Sequence, residues 1–399
     1  MQTTTPEEVG FSSDRLKRVS KLAKGYVDGG QLAGTVTMLS RSGKTFHHEA
    51  TGVLDFDSGA PMQPDTIFRF HSMTKPITSV AVMMLYEEGL FHLDEPVSRL
   101  IPELGDRKVR AGIGQTGPTF VSEERPISIR HLLTHTAGLT NGQYEDSPVE
   151  SMYRDPDLRS PDSNLKEFVS KLRELPLVSQ PGTKWRYSVA TDVLGRLVEV
   201  LSDQSFDDFL QSKVLGPLGM KDTAFYVPEE KLDRLASVYG PGNGIKKLDN
   251  ADVNSYRRPK SFLSGGGGLV STGPDYMRFC QMLLNGGGLD GVSILGRKTV
   301  ELMTKNHLAD ELRPFSVNGS SADESKGCGF GLGFKVIMDQ AQYGILGSEG
   351  SYSWGGAAST FFWIDPLEDL IAIWLTQFMP ISHPQRKEFE IATYQAMVA

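Results

Sequence analysis

The chain has 399 residues and a net charge of −8, which results from 41 lysines and arginines and 49 aspartates and glutamates. No cluster of basic residues stands out, so the composition gives little support to nucleic-acid binding. Its content of 39% hydrophobic and 23% charged residues is typical of a soluble globular protein.

The N-terminus and the cysteines indicate the cellular setting. Residues 1–8 are polar and lack the basic and apolar regions of a signal peptide, and no apolar stretch is long enough to span a bilayer. Cys280 and Cys328 are too few for a disulfide framework. We therefore expect a cytoplasmic protein with no membrane partner, in which the glycosylation-like triplet Asn318-Gly319-Ser320 is an ordinary loop.

The first elements are predicted by periodicity and by turn residues. Residues 11–27 show a helical pattern, with Ser13 as a plausible N-cap and Gly29-Gly30 as the stop. Residues 34–39 are rich in β-forming side chains, and residues 45–50 return as the second strand of a hairpin.

The stretch from Phe70 to Leu85 predicts a helix that is buried on all sides. Apolar residues recur at positions 77, 80, 81, 84 and 85, and the opposite face is hardly polar. Pro76 is compatible with a helix only near its start, where backbone N–H groups lack intrahelical partners. The helix is therefore expected to begin near Ser72 and to stop at Gly89.

Ser72 and Lys75 then lie one turn apart on the same helical face. At a helix N-terminus the backbone N–H groups and the dipole favour a developing negative charge. A serine hydroxyl needs an adjacent base to act as a nucleophile, and a lysine in apolar surroundings gives up its proton more readily because desolvation disfavours the ammonium. The pair therefore predicts nucleophilic catalysis at Ser72.

The same spacing occurs at Ser163-Asn164-Leu165-Lys166, which provides an internal comparison. That serine follows Pro161-Asp162 and opens an amphipathic run, so it is most simply a helix cap. Ser-x-x-Lys alone is therefore weak evidence. The buried helix and its proline-marked start distinguish Ser72.

The middle of the chain is mainly helical. Residues 129–139 predict a short helix with a glycine stop, and three further helices are predicted at residues 164–175, 190–202 and 206–214. His131 and His135 have i, i+4 spacing, as metal ligands on a helix can have. No glutamate lies between them and no third ligand is obvious, so we expect core histidines with local hydrogen bonds and no metal.

The last third of the chain changes to strands. The runs 331–337, 355–363 and 370–376 are β-rich. Residues 359–364 and 370–375 predict a hairpin of buried antiparallel strands. Strands at both ends and helices in the middle predict an α+β fold, with an antiparallel sheet that is built from both termini, flanked by helices, and interrupted by a mainly helical region.

The length of the chain also predicts two domains, or one domain with a large insertion, because it exceeds what one small core needs. The expected division is a sheet domain of residues 1–90 and 262–399 and a mainly helical domain of residues 91–261. The active site is expected between them.

Two further segments offer site residues. Tyr187 precedes a helix and can act as a base if a neighbouring cation stabilises its phenolate, although a packed aromatic with a satisfied hydroxyl is the commoner role. The glycines of Trp354-Gly355-Gly356 let a backbone approach a ligand closely. The next N–H, that of Ala357, can pair with the N–H of Ser72 as an oxyanion hole, and a turn with a β-bulge explains the glycines equally well.

Signatures of other hydrolases are missing from the sequence. There is no Gly-x-Ser-x-Gly nucleophile elbow and no His-Glu-x-x-His. The eight histidines leave a Ser-His-Asp triad open, but no motif marks one.

Three separated motifs resemble the active site of the serine β-lactamase and penicillin-binding-protein superfamily: Ser72-Met73-Thr74-Lys75, Tyr187-Ser188-Val189 and Trp354-Gly355-Gly356. The variant is most similar to the class C β-lactamase-like carboxylesterases, often called family VIII esterases. The resemblance covers nearly the whole chain, and three other segments also read like this family: residues 131–139, 217–225 and 264–279.

The resemblance implies a role for each motif residue. Ser72 is the acylated nucleophile, Lys75 assists its deprotonation and keeps the site positive, and Tyr187 is the base or proton relay. The N–H groups of Ser72 and Ala357 hold the oxyanion. Whether Lys75 or Tyr187 is the principal base stays open. No metal or organic cofactor is implied, and the mechanism is ping-pong, with release of the alcohol followed by attack of water.

Two departures from the β-lactamase pattern bear on the substrate. Class C β-lactamases have Tyr-x-Asn where this chain has Val189, so an amide that hydrogen-bonds the acyl-amide group is lost. They have Lys-Thr-Gly where this chain has Trp354-Gly355-Gly356, so a cation beside the substrate carboxylate is lost. A charge-assisted hydrogen bond of ~1.5–3 kcal/mol corresponds to roughly ten- to hundredfold in binding. Uncharged short-chain esters are therefore the expected substrates, with room for weak cephalosporin cleavage.

Several alternatives remain open. A β-lactamase, a D-amino-acid peptidase and an acyltransferase share the same Ser72 chemistry. A protein of another class, a penicillin sensor that is acylated without turnover, also fits the three motifs. The expected partner is a small-molecule ester, and the natural ester and the oligomeric state are left open.

Overall fold

The computed structural model describes residues 2–114, 117–242, 244–317, 325–381 and 384–399. The triplet Asn318-Gly319-Ser320 lies outside these described residues, so the loop expected there stays a prediction. The strands in chain order are β1 (Gln2–Thr3), β2 (Gly34–Arg41), β3 (Lys44–Gly52), β4 (Phe68–Arg69), β5 (Lys108–Gly114), β6 (Gly117–Ser122), β7 (Tyr239–Gly242), β8 (Gly244–Lys247), β9 (Val270–Ser271), β10 (Gly288–Leu289), β11 (Val292–Ser293), β12 (Cys328–Phe330), β13 (Lys335–Ile337), β14 (Tyr352–Gly356), β15 (Thr360–Asp365) and β16 (Leu370–Leu375).

The helices surround these strands and fill the middle of the chain. They are α1 (Ser13–Asp28), α2 (Thr74–Glu87), α3 (Ile129–Leu133), α4 (Val149–Tyr153), α5 (Leu165–Arg173), α6 (Ala190–Ser202), α7 (Phe206–Leu210), α8 (Ala251–Asn254), α9 (Gly273–Leu284), α10 (Arg297–Met303), α11 (Gln340–Tyr343) and α12 (Gln385–Tyr394). A 3₁₀ turn at His71–Met73 leads directly into α2, and a π-helical turn at Gln211–Leu215 extends α7.

Eight strands form one sheet in the order β1-β3-β2-β16-β15-β14-β13-β12. Strand β2 from the N-terminal hairpin pairs with β16 from the C-terminal one, so the prediction of a sheet built from both termini is confirmed. All of its pairings are antiparallel except that β1 pairs with β3 in parallel. The sheet is therefore mixed: the predicted antiparallel pairing is found everywhere in it except at this short edge strand. A strand of two exposed residues carries no hydrophobic pattern from which its direction could be predicted.

Helices cover both faces of the sheet. Alternate residues of β16 point to opposite faces, as the period of a strand requires. Leu370, Ala372 and Trp374 share a core with α1 and α12, and the intervening Ile371 and Ile373 join the larger core that contains α2 and α9. Because both faces are covered, β15 and β16 are buried throughout.

Helix α2 lies inside the larger core. Every residue from Thr74 to Met83 is buried, which confirms the predicted helix without a polar face. Pro76 is its third residue, where no intrahelical N–H bond is lost. The helix ends at Glu87, and Gly89 adopts a left-handed φ of 73°.

Two predicted helix caps were wrong by one residue. Ser12, not Ser13, is the N-cap of α1, and its hydroxyl accepts the N–H of Arg15. Asn164, not Ser163, is the N-cap of α5. In both places two good capping residues are adjacent, and the sequence does not reveal which of them first adopts helical dihedral angles.

Some strands were missed or merged in the sequence. The polar stretch at residues 107–124 contains the hairpin β5–β6, whose strands show no clean alternation because much of the hairpin is exposed. The predicted run 331–337 contributes only β13, while β12 lies just before it. Glycine-rich turns interrupt these runs, and such turns are hard to separate from strand residues by composition.

The mainly helical middle of the chain agrees with the expected insertion, because α3 to α8 all fall between β4 and β9. The division into two domains at residues 90 and 262 stays a prediction. In the part of the chain that is described, no helix is long and apolar enough to cross a membrane.

Candidate active site

Ser72 lies half-buried in the 3₁₀ turn that precedes α2. The residue before it, His71, has a φ of 45°, in the left-handed region, and this turns the chain sharply between β4 and the helix. Its ring packs edge-on against Tyr256, with the ring centroids 5.7 Å apart. The sharp turn and the packed histidine hold the serine at the entrance to the buried helix.

Two side chains contact the Ser72 hydroxyl. Lys75 Nζ donates to Ser72 Oγ at 3.2 Å, and the Tyr187 hydroxyl is hydrogen-bonded to the same oxygen. Lys75 and Tyr187 are only 5% and 7% exposed. A hydroxyl in this position has proton acceptors at hand and a cation that stabilises negative charge on its oxygen. Residues from two separated motifs therefore meet at one atom, Ser72 Oγ.

The Lys75 ammonium is held from two further sides. It donates to the backbone carbonyl of Gly266 at 2.6 Å and lies 4.5 Å from the centre of the Tyr187 ring. Among the described residues no carboxylate forms an ion pair with it. Its positive charge is therefore not neutralised by a direct partner and can act on negative charge that develops at Ser72.

Tyr187 is fixed through its backbone. Its N–H donates to the Tyr144 hydroxyl at 3.1 Å, and the neighbouring Arg186 N–H donates to the His135 carbonyl at 2.8 Å. The His135 ring also packs on the Tyr187 ring, with centroids 5.0 Å apart. These contacts leave the phenol little freedom to move away from Ser72.

His131 and His135 do not share a helical face. Helix α3 ends at Leu133, and His135 follows with a φ of 57°, so the predicted helix over residues 129–139 is too long and the i, i+4 spacing does not apply. His131 Nδ1 accepts the N–H of Ser128 at 3.2 Å within a capping box. Among the described residues there is no group of three side chains that could hold a metal ion.

His135 is a core residue. Its Nδ1 lies 3.2 Å from the Ser188 hydroxyl. Burial, and then the charge of Lys75, lower the pKa of His135 well below its usual range, so the ring is neutral at pH 7. In the described part of the chain no histidine hydrogen-bonds to Ser72, so no Ser-His-Asp triad is formed there.

Trp354, Gly355 and Gly356 end strand β14, which lies beside the turn that carries Ser72. The Trp354 ring packs against Tyr187 and Phe330, with centroid distances of 5.8 and 5.3 Å. Because Trp354 is only 6% exposed, it presents a small surface and mainly supports Tyr187. Gly355 is half-buried and more accessible.

Gly356 is required by a close backbone approach. A Cβ at this position would lie 2.3 Å from the carbonyl oxygen of Phe70, two residues before Ser72. Only glycine lets the strand come this close. The next residue, Ala357, is exposed, and its N–H has no acceptor among the described residues. The arrangement is compatible with the predicted oxyanion hole.

Two further residues from the sequence analysis, Val189 and Ser163, have structural environments that define their roles. Val189 is buried at the N-cap of α6 and supplies no polar side chain to the site. The Ser163 hydroxyl donates to Glu167 at 2.9 Å, and among the described residues it accepts no hydrogen bond from Lys166, so its Ser-x-x-Lys spacing does not form a second pair like that of Ser72.

Sequence reasoning missed the residues that hold Tyr187 in place. Arg186 is buried, pairs with Glu150 at 2.6 Å and with Asp146, and lies 4.0 Å from the centre of the Tyr144 ring. An arginine directly before the candidate tyrosine was the only available signal, and its partners are about 40 residues away in sequence.

A Ser-x-x-Lys helix packed against a sheet from both chain ends is the architecture of the serine β-lactamase and penicillin-binding-protein superfamily. The protein therefore belongs to the serine hydrolases of this superfamily. Comparison with known families agrees: the chain belongs to the Beta-lactamase family, whose sequence profile matches residues 19–395.

Individual relatives cover most of the chain. Protein Rv1367c of Mycobacterium tuberculosis (strain ATCC 25618 / H37Rv) is 40% identical over 359 residues, which are 88% of each chain. Esterase EstB of Burkholderia gladioli is 30% identical over 368 residues, 87% of this chain and 86% of EstB. Among solved structures, EstCE1, a hydrolase with promiscuous acyltransferase activity, superimposes with a TM-score of 0.80 at 26% identity, covering 96% of this chain and 99% of the other. The predicted fold and superfamily are confirmed.

Proposed function

We propose that this protein is a serine carboxylesterase that hydrolyses uncharged short-chain esters through an acyl-enzyme on Ser72. The contact of the Ser72 hydroxyl with both Lys75 Nζ and the Tyr187 hydroxyl carries the proposal. The similarity to EstB, an esterase, and to EstCE1, a hydrolase, supports an ester as the substrate.

In the acylation step Ser72 Oγ attacks the ester carbonyl while Lys75 or Tyr187 takes its proton. The N–H groups of Ser72 and Ala357 stabilise the oxyanion, and the proton is passed to the departing alkoxide, which leaves as the alcohol. In deacylation a water molecule occupies the place of the alcohol and gives its proton to the same base. The carboxylic acid is released, and Ser72 recovers its proton.

The proposed substrate preference follows from the strand beside the site. Trp354 carries no charge at the position where class C β-lactamases have a lysine, and Val189 offers no amide. A substrate carboxylate therefore gains no ion pair from either residue. We assign Val189, Trp354, Gly355 and Gly356 to substrate binding, with Gly355 as the most accessible of the four.

The site is proposed to lie between two domains. Ser72 and Trp354 belong to the sheet domain of residues 1–90 and 262–399, and Tyr187 belongs to the helical domain of residues 91–261. Their contacts support this arrangement, because Tyr187 is hydrogen-bonded to Ser72 Oγ and packs against the Trp354 ring.

The test is steady-state hydrolysis of p-nitrophenyl butyrate and of nitrocefin by the wild type and by Ser72→Ala. We expect fast cleavage of the ester, slow or no cleavage of nitrocefin, and loss of both in the variant. Efficient nitrocefin cleavage would overturn the substrate preference but not the nucleophile. A burst of product equal to the enzyme, without a steady state, would indicate a penicillin sensor instead.

Acyl transfer is the second candidate, because the structurally similar EstCE1 is a hydrolase with promiscuous acyltransferase activity. An alcohol that occupies the water position would receive the acyl group from Ser72. Adding a short alcohol during turnover of p-nitrophenyl butyrate distinguishes the two outcomes. A butyrate ester of the added alcohol as the main product identifies an acyltransferase, and free butyrate as the main product identifies an esterase.

A further inference from the structure

A buried carboxylate is linked to Lys75 through the backbone of a single glycine, Gly266. Asp192, in the first turn of α6, is 4% exposed and forms no ion pair with any described residue. Its Oδ1 accepts the Ser264 hydroxyl at 2.5 Å and the Gly266 N–H at 2.9 Å. The Gly266 carbonyl in turn accepts Lys75 Nζ at 2.6 Å. Gly266 therefore connects the two side chains: its N–H donates to Asp192, and its carbonyl accepts from Lys75.

The loop that contains this glycine has little stiffness of its own. Residues 265–268 are four consecutive glycines, which lose more conformational entropy on ordering than any other residue. A Cβ on Gly266 would lie 3.1 Å from both carboxylate oxygens of Asp192, so the backbone rests directly against the carboxylate. The loop has other anchors: the Thr78 hydroxyl donates to the Gly265 carbonyl at 2.8 Å, the Tyr256 hydroxyl donates to the Gly267 carbonyl at 2.6 Å, and the Gly268 N–H donates to the Ser264 carbonyl at 2.9 Å. Asp192 adds the bond to the N–H of Gly266 itself.

We infer that Asp192 is a positioning residue that fixes the Gly266 carbonyl and thereby aims the Lys75 ammonium at Ser72. A lysine side chain has four rotatable bonds, so its Nζ is placed by what it donates to. Misplacement of a catalytic group by about 1 Å can lower a rate by roughly a hundredfold. The inference rests on the proposed role of Ser72 as the nucleophile.

The test measures the reactivity of Ser72 rather than turnover of one substrate. A fluorophosphonate probe phosphonylates the serine oxygen and releases fluoride, and the rate constant of labelling is followed from pH 5 to pH 10. The variants are Asp192→Ala, which removes both hydrogen bonds, and Asp192→Asn, whose amide oxygen can still accept both of them. Unfolding by urea is measured for every variant.

The matched control is Asp275→Ala. Asp275 is also buried, at 7% exposure, and also lies in the first turn of a helix, α9. It accepts one backbone N–H, from Asp222 at 2.7 Å, and one hydroxyl, from Thr223 at 2.9 Å. Among the described residues, its side-chain hydrogen bonds reach none of the groups that hold Ser72 or Lys75, so its removal reports the loss of a buried carboxylate without displacement of Lys75.

We expect labelling of Asp192→Ala to slow by roughly ten- to hundredfold with a displaced pH profile, because Lys75 is no longer aimed. The labelling rate constant of Asp192→Asn should stay within about fivefold of the wild-type value, since the hydrogen-bond acceptor is kept. Asp275→Ala should be labelled at the wild-type rate, even if the variant is less stable. Wild-type labelling of Asp192→Ala, or an equal loss in Asp275→Ala, would overturn the inference.

A milder variant covers the case in which Asp192→Ala does not fold. Ser264→Ala removes one of the two hydrogen bonds and should slow labelling by about threefold or more, whereas an unchanged rate would overturn the inference. Failure of the proposed function would give a different result from failure of this inference: if Ser72 is not the nucleophile, the wild-type protein would not be labelled at Ser72 at all.

Discussion

At the scale of single residues, the Tyr187 hydroxyl is the group whose role is most open to direct measurement. Tyr187→Phe deletes the oxygen that contacts Ser72 and keeps the ring that packs against Trp354 and Lys75. Because proton transfer is lost and packing is retained, kcat should fall by roughly 10²- to 10⁴-fold with little change in the urea midpoint. An unchanged kcat would show that this tyrosine is structural.

Ser163 has the same Ser-x-x-Lys spacing as Ser72, but its replacement is expected to leave activity unchanged. Its hydroxyl donates to Glu167 at 2.9 Å and belongs to the start of α5. Ser163→Ala should therefore keep kcat near the wild-type value and lose about 1 kcal/mol of stability, measured by urea unfolding. A loss of activity as large as that of Ser72→Ala would contradict the assignment of the nucleophile.

The sequence predicted single residues well where the evidence was local. Ser72 and Lys75 stand in one helical pattern, so their contact follows from helix geometry. The contact of Tyr187 with Ser72 spans 115 positions, and only the resemblance to a family suggested it. Asp192 acts through Ser264 and Gly266, more than 70 positions away, and no periodicity reports such a contact.

At the scale of elements, the approach of β14 to the Ser72 turn depends on the absence of a side chain. In Gly356→Ala the new Cβ would meet the Phe70 carbonyl oxygen at 2.3 Å, so either the strand or the turn must move. The proposed oxyanion hole lies between them, so kcat for p-nitrophenyl butyrate should fall by roughly tenfold or more. Wild-type kcat would contradict the oxyanion role of Ala357.

A glycine in another element provides the control. Gly25 is exposed inside α1, and a Cβ there would meet nothing within 4 Å. Gly25→Ala should leave kcat unchanged and stabilise the protein by about 0.5–1 kcal/mol in urea unfolding, because alanine is the better helix former. Destabilisation would show that α1 does not depend on helix propensity at this position.

Whole elements were predicted where burial gave a strong pattern. The bounds of α6 matched the prediction, and α2 and the β15–β16 hairpin were found where apolar runs indicated them. The β5–β6 hairpin was missed because its exposed strands lack alternation. The helix over residues 129–139 was too long because a left-handed residue, His135, ends the helix while the apolar pattern of its neighbours continues.

At the scale of the whole molecule, one buried histidine, His135, and three half-buried ones, His47, His71 and His131, make stability depend on pH. Burial is the main cause that lowers the pKa of His47 and of His131 to about 4 and that of His71 to about 3, and it also lowers the pKa of His135 well below its usual range. The unfolded chain binds these protons near pH 6.5, so it holds more protons than the folded protein between pH 6.5 and 4. The stabilisation is complete above pH 6.5 and decreases as the pH falls.

Urea unfolding at pH 7 and pH 5 tests this expectation. The free energy of unfolding should be lower at pH 5, with each histidine contributing up to about 1.4 kcal/mol per pH unit. His47, which contacts Thr37 at 2.7 Å between β2 and β3, can be replaced by glutamine as a control. His47→Gln should reduce the difference between the two pH values, and equal stability of the wild type at both would contradict the expectation.

The most direct test of the central claim locates the acyl group. Wild type and Ser72→Ala are quenched with acid during turnover of p-nitrophenyl butyrate, and their peptides are analysed by mass spectrometry. We expect a butyryl group on the peptide that contains Ser72, and none in the variant. A butyryl group on the peptide that contains Ser163, or continued hydrolysis by Ser72→Ala, would contradict the assignment of Ser72 as the nucleophile.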